Sequence, residues 1–118
     1  MADTQHFLVL SSPPAGVSDD QYDAWYATHV DELLARVPEF VAAERCHLQL
    51  HGREAGPAEP YRFLTRYTIA DGAEFAAAWA GLRSAVDSGE MTFEDWFGDV
   101  VSAGFVCTTV ERREREAA

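Results

Sequence analysis

The stretch Tyr22-Asp-Ala-Trp-Tyr-Ala-Thr-His29, running on through Val30-Asp-Glu-Leu-Leu-Ala-Arg36 to Val37-Pro38-Glu39-Phe40, decides how the rest of the chain must fold. At ~100° per residue, Tyr22, Trp25, Tyr26, His29 and Leu33 crowd onto one face of a helix. Pro38 pushes the residue before it out of helical angles, so the helix stops there and a strand follows from Phe40. Upstream, Ser18 with Gln21 three residues on is a capping-box pattern. Asp19, Asp20 and Asp23 add negative charge near the first turn, where the helix dipole favours it. A helix from about 19 to 36 is expected, with one imidazole among three aromatic rings on its inward face.

Outward from this helix, His6 to Leu10 is a short apolar run closed by Ser11-Ser12-Pro13-Pro14, which suits a buried strand. Phe40 to Leu50 reads as a second strand. One of its faces carries Phe40, Ala42, Glu44, Cys46 and Leu48, the other Val41, Ala43, Arg45, His47 and Gln49, and neither is purely apolar. The stretch from His51 to Pro60, with two glycines and two prolines, is expected as a surface loop. Tyr61 to Ile69 alternates as a third strand. Asp71 with Glu74 repeats the capping logic, and Phe75, Trp79, Leu82 and Val86 form the stripe expected to be buried on a second helix that Ser88-Gly89 ends. Thr92 to Phe97 reads as one helical turn closed by Gly98. Val100 to Val110 is the last strand, and Glu111 to Ala118 a charged tail.

The order βαββαβ predicts a ferredoxin-like α+β domain: a four-stranded antiparallel sheet with both helices on one face. At 118 residues the chain is read as a single domain. Its sheet carries apolar side chains on both faces, so the face without helices needs a cover, and a homodimer closing two sheets on each other is expected. Strands two and four are then the sheet edges. This puts Cys46 and Cys107 ~14 Å apart, too far for a disulfide within one chain.

A hydrophobic content of 47% argues for a folded globule, and the net charge of -11 makes nucleic acid and anionic membrane surfaces poor partners. No secretory leader and no 18-residue apolar run is visible, and a reduced, cytoplasmic protein is the expectation.

Trp25-Tyr26-Ala27-Thr28-His29, then Leu33 and Leu34, then Val37-Pro38-Glu39-Phe40, resemble the dimeric α+β barrel superfamily and, within it, the EthD-like proteins. Tyr61-Arg-Phe-Leu-Thr-Arg-Tyr67 looks like that family's strand after its long loop. The resemblance runs from about Phe7 to Val110. Glu39 departs from it, since many relatives carry glycine after the proline. The superfamily houses cofactor-free monooxygenases, small lyases and isomerases, and haem-handling members. The resemblance therefore implies a cleft between helices and sheet, with His29 pointing into it.

With an ordinary pKa near ~6.5, His29 needs only a modest push to act as acid or base at neutral pH. Tyr22, Trp25, Tyr26, Phe63, Tyr67 and Trp96 are the candidate walls for a small apolar or aromatic ligand. Set against this, a lone inward histidine often does no more than pack. Asp31 and Glu32 follow His29, and neither is expected to orient it. Arg45 and His47 on strand two, with Arg62 and Arg66 on strand three, are read as dimer-interface groups; if their face meets the cleft instead, Arg45 or Arg66 could hold a carboxylate or enolate. Trp79 and Trp96 are read chiefly as core, with Trp96 and Phe97 a conceivable lid.

Metal binding is disfavoured: His47 and His51 would lie ~13 Å apart along a strand. No glycine-rich phosphate loop calls for a nucleotide. No cofactor is expected, although haem stays open with His29 as an axial ligand. The favoured function is a cofactor-independent enzyme using His29 for proton transfer on a small aromatic or polyketide-like substrate, as a lyase, isomerase, cyclase or monooxygenase. The alternatives are a haem or small-ligand binding module and a non-catalytic, stress-associated dimer.

Overall fold

In the computed structural model, which describes residues 4–49 and 61–116, the elements are β1 (Gln5–Ser12), α1 (Asp19–Arg36), β2 (Phe40–His47), β3 (Phe63–Ile69), α2 (Phe75–Asp87), a 3₁₀ turn (Asp95–Asp99) and β4 (Val101–Thr108). The expected loop from 51 to 60 lies outside the described residues. All strand pairs are antiparallel in the order β2-β3-β1-β4, with both helices on one face, which is the ferredoxin-like α+β arrangement. The sheet edges are β2 and β4, and Cys46 and Cys107 are both free thiols.

Helix α1 begins where its sequence says. Ser18 Oγ accepts from the Gln21 N–H at 3.1 Å, and Gln21 Oε1 accepts from the Ser18 N–H at 2.9 Å, so both halves of the capping box form. Tyr22, Trp25, Tyr26, His29 and Leu33 are its buried residues.

Helix α2 departs from expectation twice. It starts one residue after Glu74, which caps it without a side-chain hydrogen bond, so Asp71 and Glu74 do not form a box. Its fully buried residues are Ala78 and Ala85; Phe75, Leu82 and Val86 are half-buried, and Trp79 is 43% exposed. The cause is close approach. A Cβ on Gly81 would meet Val37 Cγ1 at 3.2 Å, so the small residues at 78, 81 and 85 form the seam of closest contact and the larger ones flank it.

The two faces of β2 are re-sorted by a bulge. Phe40 pairs with Ile69 but Ala42 pairs with Thr68, leaving Val41 as the extra, exposed residue. Phe40 therefore shares the helix-covered face with Ala43, Arg45 and His47, opposite Tyr67, Thr65 and Phe63. Strict alternation had grouped Phe40 with Glu44 and Cys46. Arg66 instead lies on the open face, 3.4 Å from Glu44, so the strand-two and strand-three cations are not one cluster.

The core is divided. Phe7, Leu33, Val37, Phe40, Tyr67, Ile69, Ala78, Ala85 and Met91 form one cluster; Tyr22, Trp25, Tyr26 and Phe63 form another. The open face of the sheet carries Leu8, Leu10 and Leu64 together with Val101 and Phe105, which are 54% and 55% exposed.

Candidate functional site

A cavity of about 430 Å³ draws its lining from both core clusters. From α1 come Tyr22, Tyr26, His29 and Leu33, from β1 Phe7, Val9 and Ser11, and from β3 Tyr67. Trp79 and Leu82 of α2, Phe97, Gly98 and Val100, and Ser102 and Gly104 of β4 complete it. Trp79 and Phe97 are part-exposed and mark where it opens. Gly104 is required by its neighbour: a Cβ there would meet the Phe7 ring at 3.0 Å, so glycine lets that ring lie across β4.

His29 is 9% exposed, and its Nδ1 is buried with no hydrogen-bond partner among the described residues. Its ring stacks on Trp25 at 4.7 Å and 17°, and meets Tyr26 edge-on at 5.4 Å. Burial pushes its pKa from 6.5 down to about 4, against a smaller upward pull from Glu32. The imidazole is therefore neutral at physiological pH. Glu32 stands one turn on from His29 and, without orienting it, does act on it. It does so through its field, because its carboxylate accepts from the N–H and hydroxyl of Thr92.

The tyrosines stay protonated. Burial raises Tyr22 to about 12 despite the 2.7 Å hydrogen bond its hydroxyl donates to Ser11. Burial also raises Tyr26, partly offset by the hydroxyls of Thr65 and Tyr67, and it raises Tyr67 well above 10.0.

Of the residues singled out from sequence, His29, Tyr22, Tyr26 and Tyr67 line the cavity together. Trp25, Phe63 and Trp96 do not. Trp25 backs His29 and donates its indole N–H to Thr92 O at 3.3 Å. Phe63 lies beneath Tyr22 at 5.0 Å. Trp96 packs against Trp25 and lines a second depression of about 390 Å³ with Gln21, Thr28, Thr92 and Glu94. Ser11 and Ser102 were missed. The signal for Ser11 was its place after Phe7 and Val9 on one face of β1, where a hydroxyl among apolar side chains needs a partner.

At the far edge, Arg45 and His47 both bind Asp23, at 2.7 and 2.9 Å, and the Arg45 guanidinium lies 4.4 Å from the centre of the Tyr26 ring. Neither lines the cavity. Among the described residues, no group of three or more His, Cys, Asp or Glu is placed to hold a metal ion, and no helix is long and apolar enough to cross a membrane.

No family model and no curated protein matches the sequence. The fold does match solved structures. A dimeric ferredoxin-like protein from an uncultured marine organism aligns over 96% of this chain and 100% of its own, with TM-score 0.60 and 16% identity. A provisionally named monooxygenase from Shewanella loihica aligns over 95% and 99%, with TM-score 0.54 and 17% identity. A protein from Arabidopsis thaliana aligns over 92% and 99%, with TM-score 0.53 and 13% identity. At such identities the likeness shows the fold alone, the ferredoxin-like α+β arrangement, and the chemistry has to be argued from the cavity.

Proposed function

We propose that this protein is a cofactor-independent, EthD-like enzyme that uses His29 to move a proton on a small aromatic or polyketide-like substrate held in the 430 Å³ cavity. The observation that carries the reading is His29, a neutral base that lines a cavity of ligand size and whose Nδ1 is buried with no hydrogen-bond partner among the described residues. Burying such an atom with nothing to bond costs about 1–3 kcal/mol, which a substrate proton donor would recover.

In this mechanism Nδ1 takes a proton from an acidified C–H or O–H of the substrate. The electron pair stays behind as an enolate or phenolate, and the imidazolium returns the proton elsewhere in an isomerase, lyase or cyclase step. The Tyr26 phenol, held protonated by burial and accepting from Tyr67, keeps its own O–H to donate to the developing oxyanion. With dioxygen as co-reactant, the same deprotonation starts a monooxygenation in which one oxygen atom enters the substrate and the other leaves as water with two substrate hydrogens. The Shewanella protein's description favours keeping that branch.

The working form in this reading is a homodimer. Leu8, Leu10, Val101 and Phe105 on the open face are the surface a second copy would cover, and the marine structure is described as dimeric. A haem on His29 fits poorly. None of the described lining residues is an arginine or lysine that could receive a propionate.

The test is His29→Ala, screened under air against small phenols and polyketide-like aromatics, with products read by mass spectrometry. Turnover should fall at least ~100-fold with the dimer intact by light scattering. An active His29→Ala protein contradicts the proposal.

A further inference from the structure

We infer that the cavity takes its ligand in the uncharged form, as a hydroxyaromatic whose O–H donates to His29 Nδ1, and rejects the matching carboxylate. This rests on the site proposed above but goes further, since base chemistry alone does not say which protonation state enters.

The lining carries the argument. None of the described residues around the cavity has an ionised side chain at neutral pH. Its polar groups are two serines, three phenols, one imidazole and the Trp79 indole N–H. Two of the three phenol donors are already engaged, Tyr22 with Ser11 at 2.7 Å and Tyr67 with Tyr26. The nearby guanidinium, Arg45, lies behind the Tyr26 ring and is bound to Asp23. An anion placed in the cavity would lose its hydration and gain no counter-charge. A neutral phenol loses far less, and among the described lining residues the buried polar atom that lacks a partner is an imidazole nitrogen able to accept its proton in a hydrogen bond.

The titratable groups facing His29 support this. Tyr26 and Glu32 of α1 and Tyr67 of β3 are neutral or negative, and β1, β4, α2 and the turn add only uncharged side chains to the lining. The net charge of -11 opposes anions further.

The experiment uses 4-nitrophenol, whose phenol and phenolate absorb at different wavelengths, and 4-nitrobenzoate, each titrated against the full chain by calorimetry and absorbance from acid to mildly alkaline pH. Affinity for 4-nitrophenol should fall about tenfold per pH unit above its own ionisation, with the bound probe showing the phenol spectrum. At neutral pH 4-nitrobenzoate should bind at least ~10-fold more weakly than the un-ionised phenol. His29→Phe should weaken 4-nitrophenol about tenfold while leaving 4-nitrotoluene unchanged. A phenolate spectrum on binding, equal or tighter binding of the carboxylate, or no binding of either at millimolar concentration overturns the inference. A protein that binds the neutral phenol but turns over nothing contradicts the catalytic proposal and leaves this one standing. One that binds phenolate and turns over does the reverse.

Discussion

His29 sits on helix α1 and His47 reaches the same helix from β2, and they are held in opposite ways. His29 is buried, stacked on Trp25, and offers a nitrogen with no partner among the described residues. His47 is largely exposed, packs edge-on to Phe63, and shares Asp23 with Arg45. Two turns of one helix thus separate a region governed by desolvation from one governed by charge pairing. The difference teaches where to look for reactivity. The paired region ties β2 to α1 through the Asp23 carboxylate, with Nε and Nη2 of Arg45 left buried without partners among the described residues, whereas the desolvated region keeps a neutral base in hand beside a cavity.

Acid should expose the contrast most strongly. Folding lowers the His29 pKa from 6.5 to about 4. The folded state thus favours the neutral ring, so this stability is complete above about pH 6.5 and is lost as pH falls toward 4. A depression of that size is worth about 3 kcal/mol. In the paired region, burial alone would raise the Asp23 carboxyl, but the hydrogen bonds and charges of Arg45 and His47 outweigh it and hold it below 3.8. Its stabilising contribution is present above 3.8 and fades only as pH falls through and below that value. Urea midpoints measured from neutral pH down to about pH 4 should therefore decline in the wild type, flatten in His29→Gln, and keep their slope in Asp23→Asn. An unchanged slope in His29→Gln would break the distinction.

A smaller effect belongs to the other region. Arg45→Met keeps the stem against Tyr26 but removes the guanidinium from Asp23, and should cost about 2 kcal/mol in a urea titration. That lies between the values for exposed and fully buried pairs, because Arg45 is only partly covered. Ligand affinity in the cavity should hold in this variant. A loss of affinity greater than the loss of stability would show that the two regions are coupled.

Much of this was legible in the sequence. Ser18 and Gln21 announced the start of α1, and the 3.6-residue rhythm from Tyr22 to Leu33 identified the face it buries. What stayed hidden was set by contacts between elements. No local pattern marks Val41 as a bulge, yet that one residue decides which side Phe40 and Arg45 share. In α2 the bulky stripe drew attention, while the small residues at 78, 81 and 85 set the helix against Val37 and left Trp79 at the cavity mouth. The role of Glu32 was readable from spacing alone and was overlooked.

The most direct test of the central claim is the protonation of His29 itself, followed by nitrogen-15 NMR of the imidazole in the folded protein from about pH 8 to pH 4. The account predicts a neutral ring across the physiological range, titrating near 4. In that neutral ring the Nδ1 resonance should respond to 4-nitrophenol. A ring that titrates near its ordinary 6.5, or an Nδ1 indifferent to ligand, would contradict it.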